Sequence, residues 1–250
     1  MVLTNRIALI TGSSSGIGSA VAIAMATAGA DIVINHPSPR ELTAANDVAE
    51  RVRALGRRAL VIEADVADEH AVQVMVDQAL AHFGHIDILV NNAGIAAAAP
   101  VHELDVAVWD RVLAVHLRGT FLMTRAVLPQ MYARGHGRII NTASQLAYKG
   151  APGFTAYTAA KGAILSFTRS VALELGAGDI TINCVAPGAT RTPILDDVPA
   201  DVLEEIRKAI PLGRIAEVDD IAPSFVFLAS DAARHYQGQC ISPNGGDVFL

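Results

Sequence analysis

The sequence predicts an α/β fold, a single domain on a doubly wound parallel sheet, and three observations predict it. Short apolar runs alternate with helical patterns along the whole chain, as in repeated strand–helix–strand units. A length of 250 residues suits one such domain and leaves little for a second. Hydrophobic residues make up 52% of the chain and aromatics only 5%, so Ala, Val, Ile and Leu fill the interior, the usual content of a buried parallel sheet flanked by helices.

The elements follow in order. "RIALIT" (6–11) reads as the first strand and "GIGSAVAIAMATAGA" as a helix ending at Gly29. "DIVIN" is a second strand, with a helix near 41–55 behind it. "RALVIEAD" (58–65) is a third, followed by a helix near 69–83, and "DILVNNAG" (87–94) is a fourth. Residues 105–135 carry one or two long helices. "GRIINTAS" (137–144) is the fifth strand, residues 154–176 a long helix, and "DITINCVAPG" (179–188) the sixth strand. A polar, proline-bearing excursion spans 191–215. A helix near 219–230 and a short strand at 238–242 end the pattern. Right-handed crossovers place helices on both faces of such a sheet.

Composition excludes several functions. A net charge of −6 without a basic stripe argues against nucleic acid, whose phosphates need clustered Lys and Arg. Cys184 and Cys240 sit in apolar segments and read as buried, reduced thiols. No apolar stretch reaches the ~18 residues of a membrane span, and "MVLTNRIALITG" lacks a secretory pattern, so a cytoplasmic protein without membrane contact is expected. His82, His85 and His136 lack metal-ligand spacing, and no catalytic metal is expected.

The chemistry begins at "TGSSSGIG", residues 11–18, between the first strand and the first helix. A glycine-rich turn there lets the backbone bend tightly and lets a pyrophosphate touch the main chain. The helix beyond it offers unpaired N–H groups and a partial positive charge. The spacing is G-x-x-x-G-x-G, neither the G-x-G-x-x-G fingerprint nor a Walker loop. A turn that only joins strand to helix is the plainer reading of this loop taken alone.

Further motifs follow in order: "NNAG" at 91–94, Ser144, "YTAAK" at 157–161, and "PG" at 187–188. Together with the glycine loop, this ordered set resembles the short-chain dehydrogenase/reductase family over nearly the whole chain, from about 5 to 246. The likeness is nearest to single-domain members of about 250 residues, such as 3-oxoacyl-carrier-protein reductases and glucose 1-dehydrogenases. It implies a Rossmann-type sheet and hydride transfer between NAD(P) and a carbonyl or secondary alcohol.

Tyr157 and Lys161 stand four apart on a helix and share a face. An ammonium beside a phenol favours phenolate and lowers the tyrosine pKa from its reference near 10. Ser144, in the loop after the fifth strand, is placed to donate a hydrogen bond to the same substrate oxygen. The resemblance implies that Tyr157 is the general acid/base, that Lys161 tunes it and holds the nicotinamide ribose, and that Ser144 orients substrate. The chain departs from the family at "VHLRGTF", where His116 replaces the usual Asn of a proton relay. Either His116 substitutes in that relay as a catalytic residue, or it is an interior histidine and the relay is weakened.

The resemblance also assigns cofactor contacts. Gly12, Ser14, Ser15, Gly16, Ile17 and Gly18 form the phosphate loop, while Asn91, Ala93 and Gly94 line the adenine ribose. "NNAG" also reads as a turn that stiffens the sheet, and both roles can hold together. Asp65, with Val66, accepts from the adenine amino group, or Asp65 caps the next helix, a job open to Asp68 as well. Pro187, Gly188, Thr190 and Thr192 cradle the carboxamide, with a helix-starting turn as the other reading of Thr190. NAD sites usually carry an acid about 20 residues past the glycine loop. That count falls near His36, which is not acidic. His36, Ser38 and Arg40 are placed to meet a 2′-phosphate, so the sequence favours NADP, with NAD use open.

Gln145, Leu146, Phe154, Ala189 and Leu195 are expected pocket walls for a small carbonyl or alcohol substrate. Residues 191–215 are expected to form a lid, apolar at Ile194, Leu195, Val198 and Leu203 and acidic at Asp196, Asp197, Glu204 and Glu205. The helices at 106–132 and 155–175 resemble the faces through which the family forms homotetramers. A non-catalytic dinucleotide sensor on the same fold is the alternative, and the intact Ser144, Tyr157 and Lys161 speak against it.

Overall fold

The structure is a computed structural model that describes residues 1–195 and 198–249. Asp196 and Asp197, and the side chain of Ile194, lie outside the described residues, so the lid expectation is followed at Leu195, Val198 and Leu203.

Seven parallel strands form one sheet in the order β3-β2-β1-β4-β5-β6-β7. They are β1 (Ile7–Ile10), β2 (Asp31–His36), β3 (Ala59–Glu63), β4 (Ile88–Asn91), β5 (His136–Thr142), β6 (Asp179–Val185) and β7 (Cys240–Ile241). Every pairing is parallel, and each is bridged by a helical crossover, as the alternating pattern requires. β1 and β4 are buried throughout, which is why they read as unbroken apolar runs rather than alternating ones.

Helices α1 (Gly16–Thr27), α2 (Leu42–Ala54) and later α9 (Val218–Ala229) cover one face. Val21, Met25, Val48, Val52, Phe225 and Leu228 pack there onto Ile10, Ile32 and Val90. The other face carries α3 (Glu69–Phe83), α4 (Val106–Leu113), α5 (Gly119–Arg134), the single turn α6 (Leu146–Lys149) and α7 (Thr155–Leu175). Met75, Val76, Met123, Val127 and Val171 meet Leu9, Leu89 and Ile182 on that side. Each such aliphatic side chain contributes roughly 1.5–3 kcal/mol on burial.

The stretch read as one or two helices is two, joined by a wider turn at Ala114–Arg118 with i→i+5 character. The polar excursion contains a helix of its own, α8 (Ala200–Ala209), with Leu195, Val198 and Leu203 half-buried. Cys184 is buried as expected, and Cys240, on the edge strand, is half-exposed; both are free thiols. No helix among the described residues is long and apolar enough to cross a membrane.

This topology sets the position of the site. β1 pairs with β2 on one side and β4 on the other, so the chain reverses its winding between β1 and β4. The loops leaving these two strands diverge, and the crevice lies outside their carboxyl ends. The glycine loop follows β1, and residues 92–94 follow β4.

Candidate active site

Two glycines of the loop require left-handed backbone: Gly12 at φ +60 and Gly16 at φ +55. A Cβ on Gly12 would lie 2.8 Å from the Ala93 Cα, and one on Gly18 would collide with the Gly12 carbonyl. The loop is therefore pressed onto the turn after β4. Asn92 fastens the two, its amide donating to the Thr11 and Gly12 carbonyls at 3.1 Å. The Thr11 hydroxyl accepts from the Asn92 and Ala93 N–H groups at 3.0 Å. Asn35, on β2, accepts from the Gly12 N–H at 3.1 Å.

The outward side of the loop is left open. Ser15 stands at the start of α1 in extended conformation, its hydroxyl capping nothing, and the first turn holds no acidic residue. N–H groups at the start of a helix whose own first turn carries no carboxylate suit a pyrophosphate. A Cβ on Gly16 would come within 3.5 Å of the Thr192 methyl, so the segment after β6 returns across the loop. Half-buried Ile17 anchors the turn to the core. These residues fit a dinucleotide.

The remaining predicted cofactor residues divide. Ala93 is half-buried and Gly94 exposed at the crevice edge. The Asn91 amide donates into the sheet, to Asn141 at 2.9 Å and Thr124 at 3.2 Å, so these bonds express the stiffening role. Asp68 caps α3 through the Ala71 N–H at 2.9 Å. Asp65 binds the Ala67 N–H at 2.9 Å and pairs with Arg111 at 2.8 Å, which removes it from the cap. Val66 is buried, with the Gly119 backbone packed against it. The Pro187 carbonyl accepts from the Gln145 N–H at 3.0 Å. A Cβ on Gly188 would sit 2.7 Å from the Asn244 Cα. Thr190 braces this turn by donating to the Gly188 carbonyl at 2.9 Å and starts no helix. His36 is 1% exposed, with Nδ1 donating to the Ser38 carbonyl at 2.8 Å, so its ring is held inside the protein.

Tyr157 and Lys161 do share a face of α7. Lys161 is buried and donates to the Thr142 carbonyl at the end of β5, 2.5 Å away. Its Nζ lies 5.6 Å from the Tyr157 ring centroid. Burial pushes Lys161 down from 10.5 to about 7. Burial also raises the Tyr157 phenol above its usual 10, with a hydrogen bond to Ser144 working against the rise. This corrects the expectation of a phenol drawn down by the ammonium. Desolvation is the larger effect on both groups, because the lysine that shares the face also shares the dry interior. Ser144 is buried, and its Oγ accepts from the Leu146 N–H at 3.1 Å, which fixes the hydroxyl beside the phenol.

His116 occupies the centre of the wide turn between α4 and α5. Its Nε2 lies 3.0 Å from the Ile95 N–H and 2.7 Å from the Ile95 carbonyl. One ring nitrogen serves as donor or acceptor, never both at once. Nδ1 is buried without a partner. Burial, and after it the Lys161 charge, depress the imidazole to about 3, so the ring is neutral.

Phe154 stands edge-on to Tyr157 with centroids 6.3 Å apart. Leu146 and Ala189 are half-buried, and Leu195 is tied back by its N–H to the Thr192 carbonyl at 2.8 Å. Gln145 is less open than expected of a pocket wall, since its amide donates to Asp247 at 2.6 Å, as does Lys149. Sequence reasoning missed four contributors. Asn92 lies within the "NNAG" motif, and its bonds to the Thr11 and Gly12 carbonyls leave no mark in the spacing. Thr142, Glu41 and Asp247 carry no motif. Glu41 accepts from the Ser14 hydroxyl.

Comparison with known proteins agrees with this geometry. A family model described as enoyl-(acyl carrier protein) reductase matches residues 12–247. The (2S)-[(R)-hydroxy(phenyl)methyl]succinyl-CoA dehydrogenase subunit BbsD of Thauera aromatica is 43% identical over 246 residues, covering 98% of each chain. The cis-4-hydroxycyclohexanecarboxylate dehydrogenase of Sinomonas cyclohexanicum is 42% identical over 242 residues, covering 96% of each. Among solved structures, levodione reductase superposes with a TM-score of 0.92 at 35% identity, over 98% of both chains.

Proposed function

We propose, for a chain that belongs to the short-chain dehydrogenase/reductase family, a division of labour among Ser144, Tyr157, Lys161 and His116. The protein is an oxidoreductase that exchanges a hydride between a nicotinamide dinucleotide and an alcohol or ketone carbon. The dinucleotide, when bound, supplies or accepts that hydride. In reduction the Tyr157 hydroxyl gives its proton to the carbonyl oxygen, and in oxidation the phenolate takes the alcohol proton. The raised phenol keeps the protonated form at neutral pH, the form that reduction needs. Ser144 donates to the same oxygen and stabilises the charge that develops there. Lys161 supports the phenolate once the proton has left and meets the nicotinamide ribose. His116 holds the Ile95 backbone beside Tyr157 as a neutral ring. The observation that carries this reading is the grouping of Ser144, Tyr157 and Lys161 at the crevice next to the open glycine loop.

The substrate class proposed is a secondary alcohol, or its ketone, on or beside a six-membered ring. Two similar dehydrogenases are named for such alcohols, and Phe154 with Leu146 supplies apolar surface by the phenol. Residues 191–215 serve as its lid. Exposed apolar side chains on α5 and α7, Phe121 and Leu173 among them, support assembly into a homotetramer through those helices. Of the two dinucleotides, NAD is the one proposed. The sequence favours NADP for want of an acid at 36, and the placement of Glu41 supports the reverse.

The test is oxidation of NADH and NADPH against cyclohexanones, aryl ketones and short acyclic ketones. Turnover with the cyclic and aryl ketones is expected. Dinucleotide binding without turnover on any of them would leave the sensor reading standing instead.

A further inference from the structure

We propose that Glu41 is the residue by which this chain tells the two nicotinamide dinucleotides apart, accepting the adenosine 2′-hydroxyl of NAD and repelling the 2′-phosphate of NADP. This rests on the dinucleotide site proposed above.

Dinucleotide folds usually place the discriminating acid at the end of the second strand. Here that strand ends at His36, whose ring is buried and committed to the Ser38 carbonyl. The place is vacated, and the chain fills it from further along. Ser38 is extended at φ −160, and a three-residue turn, Pro39–Glu41, then doubles the chain back. The Glu41 side chain reaches over the glycine loop, where Oε2 accepts from the Ser14 hydroxyl. Asn35 meanwhile binds the Gly12 N–H, so the corner between β2 and the loop presents one carboxylate and no cation bonded to it.

Chemistry then decides the preference. An ionised carboxylate is acceptor-only, with room for more than one donor. Oε2 is occupied by Ser14, and Oε1 has no partner among the described residues, so it is placed to take a sugar hydroxyl. A phosphate offers no donor at neutral pH and adds like charge at close range, in a half-buried corner where screening is reduced. Ser15, in the loop, is neutral and supplies no compensating charge. Arg40 is the rival. It neighbours Glu41, is exposed, and makes no ion pair among the described residues. If Arg40 governed the corner, NADP would be favoured.

The experiment is calorimetric titration of the purified protein with NAD+ and with NADP+, separately, without turnover, on wild type, Glu41→Gln and Arg40→Ala, with melting curves alongside. Wild type is expected to bind NAD+ at least ~10-fold more tightly than NADP+. Glu41→Gln, which keeps shape and removes charge, should tighten NADP+ by ~10-fold and weaken NAD+ by a few-fold at unchanged melting temperature. Arg40→Ala should leave the ratio within about twofold. Equal wild-type affinities, parallel loss of both in Glu41→Gln, or a ratio that follows Arg40 would each overturn the assignment of Glu41. Wild-type protein that bound neither dinucleotide would overturn the underlying site, a result distinct from those three.

Discussion

The imidazole of His116 stands edge-on to the Tyr157 phenol, with ring centroids 5.3 Å apart and planes at 85°. That contact sits where the family resemblance implies an asparagine. An Asn side chain offers a carbonyl and an NH2 together, and so can satisfy both the N–H and the carbonyl of Ile95. The single Nε2 satisfies one and leaves the other short. Because burial holds the ring at about 3, it carries no charge at working pH. His116→Asn is therefore expected to keep turnover within about threefold and to leave the pH–rate profile unchanged between about pH 6 and 9. His116→Ala should lose ~2 kcal/mol or more of stability through the cavity and the unpaired backbone. A limb of the profile that vanished in His116→Asn would show an imidazole that titrates after all.

Tyr157→Phe is expected to reduce turnover by ~10³-fold or more while dinucleotide affinity stays within about threefold, since one oxygen is removed and the ring stays. Ser144→Ala should cost roughly 10²–10³ in kcat, the usual scale for one donor to a developing oxyanion. The raised phenol also sets the sign of the pH dependence. Alcohol oxidation needs phenolate, so its rate should climb from neutral toward alkaline pH, while ketone reduction should not. Stopped-flow rates in both directions check this, and oxidation that fell with rising pH would contradict it.

Local physics made much of the site legible. β1 is apolar because both its faces are buried, and the glycines follow it because the backbone turns left-handed at Gly12 and Gly16. Those facts are written into adjacent residues. The break between α4 and α5 is not, because apolar residues continue through 105–135 and nothing in the spacing marks the wide turn at His116. The direction of the Tyr157 shift is also invisible in the Y-x-x-x-K spacing, which shows that the lysine is near and not that both groups are dry. Glu41 was hidden for a third reason. Its reach to Ser14 depends on the turn at 39–41, and a count along the chain points to His36 instead. The Asp247 contacts span about a hundred residues, to Gln145 and Lys149, and leave no local trace.

Gly18→Ala tests whether the loop is as tightly seated as the geometry states. The added methyl would strike the Gly12 carbonyl and the Ser13 Cα, the latter at 2.9 Å, both backbone atoms that cannot rotate away. The expected result is a loss of about 1–3 kcal/mol in stability and a ≥10-fold loss of dinucleotide affinity. Gly56→Ala is the contrast, since a Cβ there meets nothing within 4 Å and only its φ of +75 is strained. It should lower stability by about 1 kcal/mol and leave affinity untouched. Equal binding by the two variants would mean that the phosphate loop has room to spare.

Lys161 carries the clearest thermodynamic cost of the site. An amine that titrates at 10.5 in the open chain and at about 7 in the fold is charged in both states below pH 7, where the full desolvation penalty applies. Between pH 7 and 10.5 the unfolded chain holds the proton and the folded protein does not, so stability must rise with pH across that window and level off above it. The drop corresponds to roughly 5 kcal/mol at its fullest, part of which the Thr142 carbonyl returns as a hydrogen bond. Lys161→Met keeps the volume and removes the charge. In dinucleotide-free protein at pH 6 it should therefore raise the melting temperature by several degrees, at ~2–4 °C per kcal/mol for a chain of this size, while turnover is lost. At pH 9 the gain should shrink, because the wild-type amine is by then mostly neutral in the fold. Melting curves on both proteins at the two pH values decide it. A variant less stable than wild type at pH 6 would show that the ammonium is anchored by more than the Thr142 carbonyl, and the depressed lysine would have to be given up.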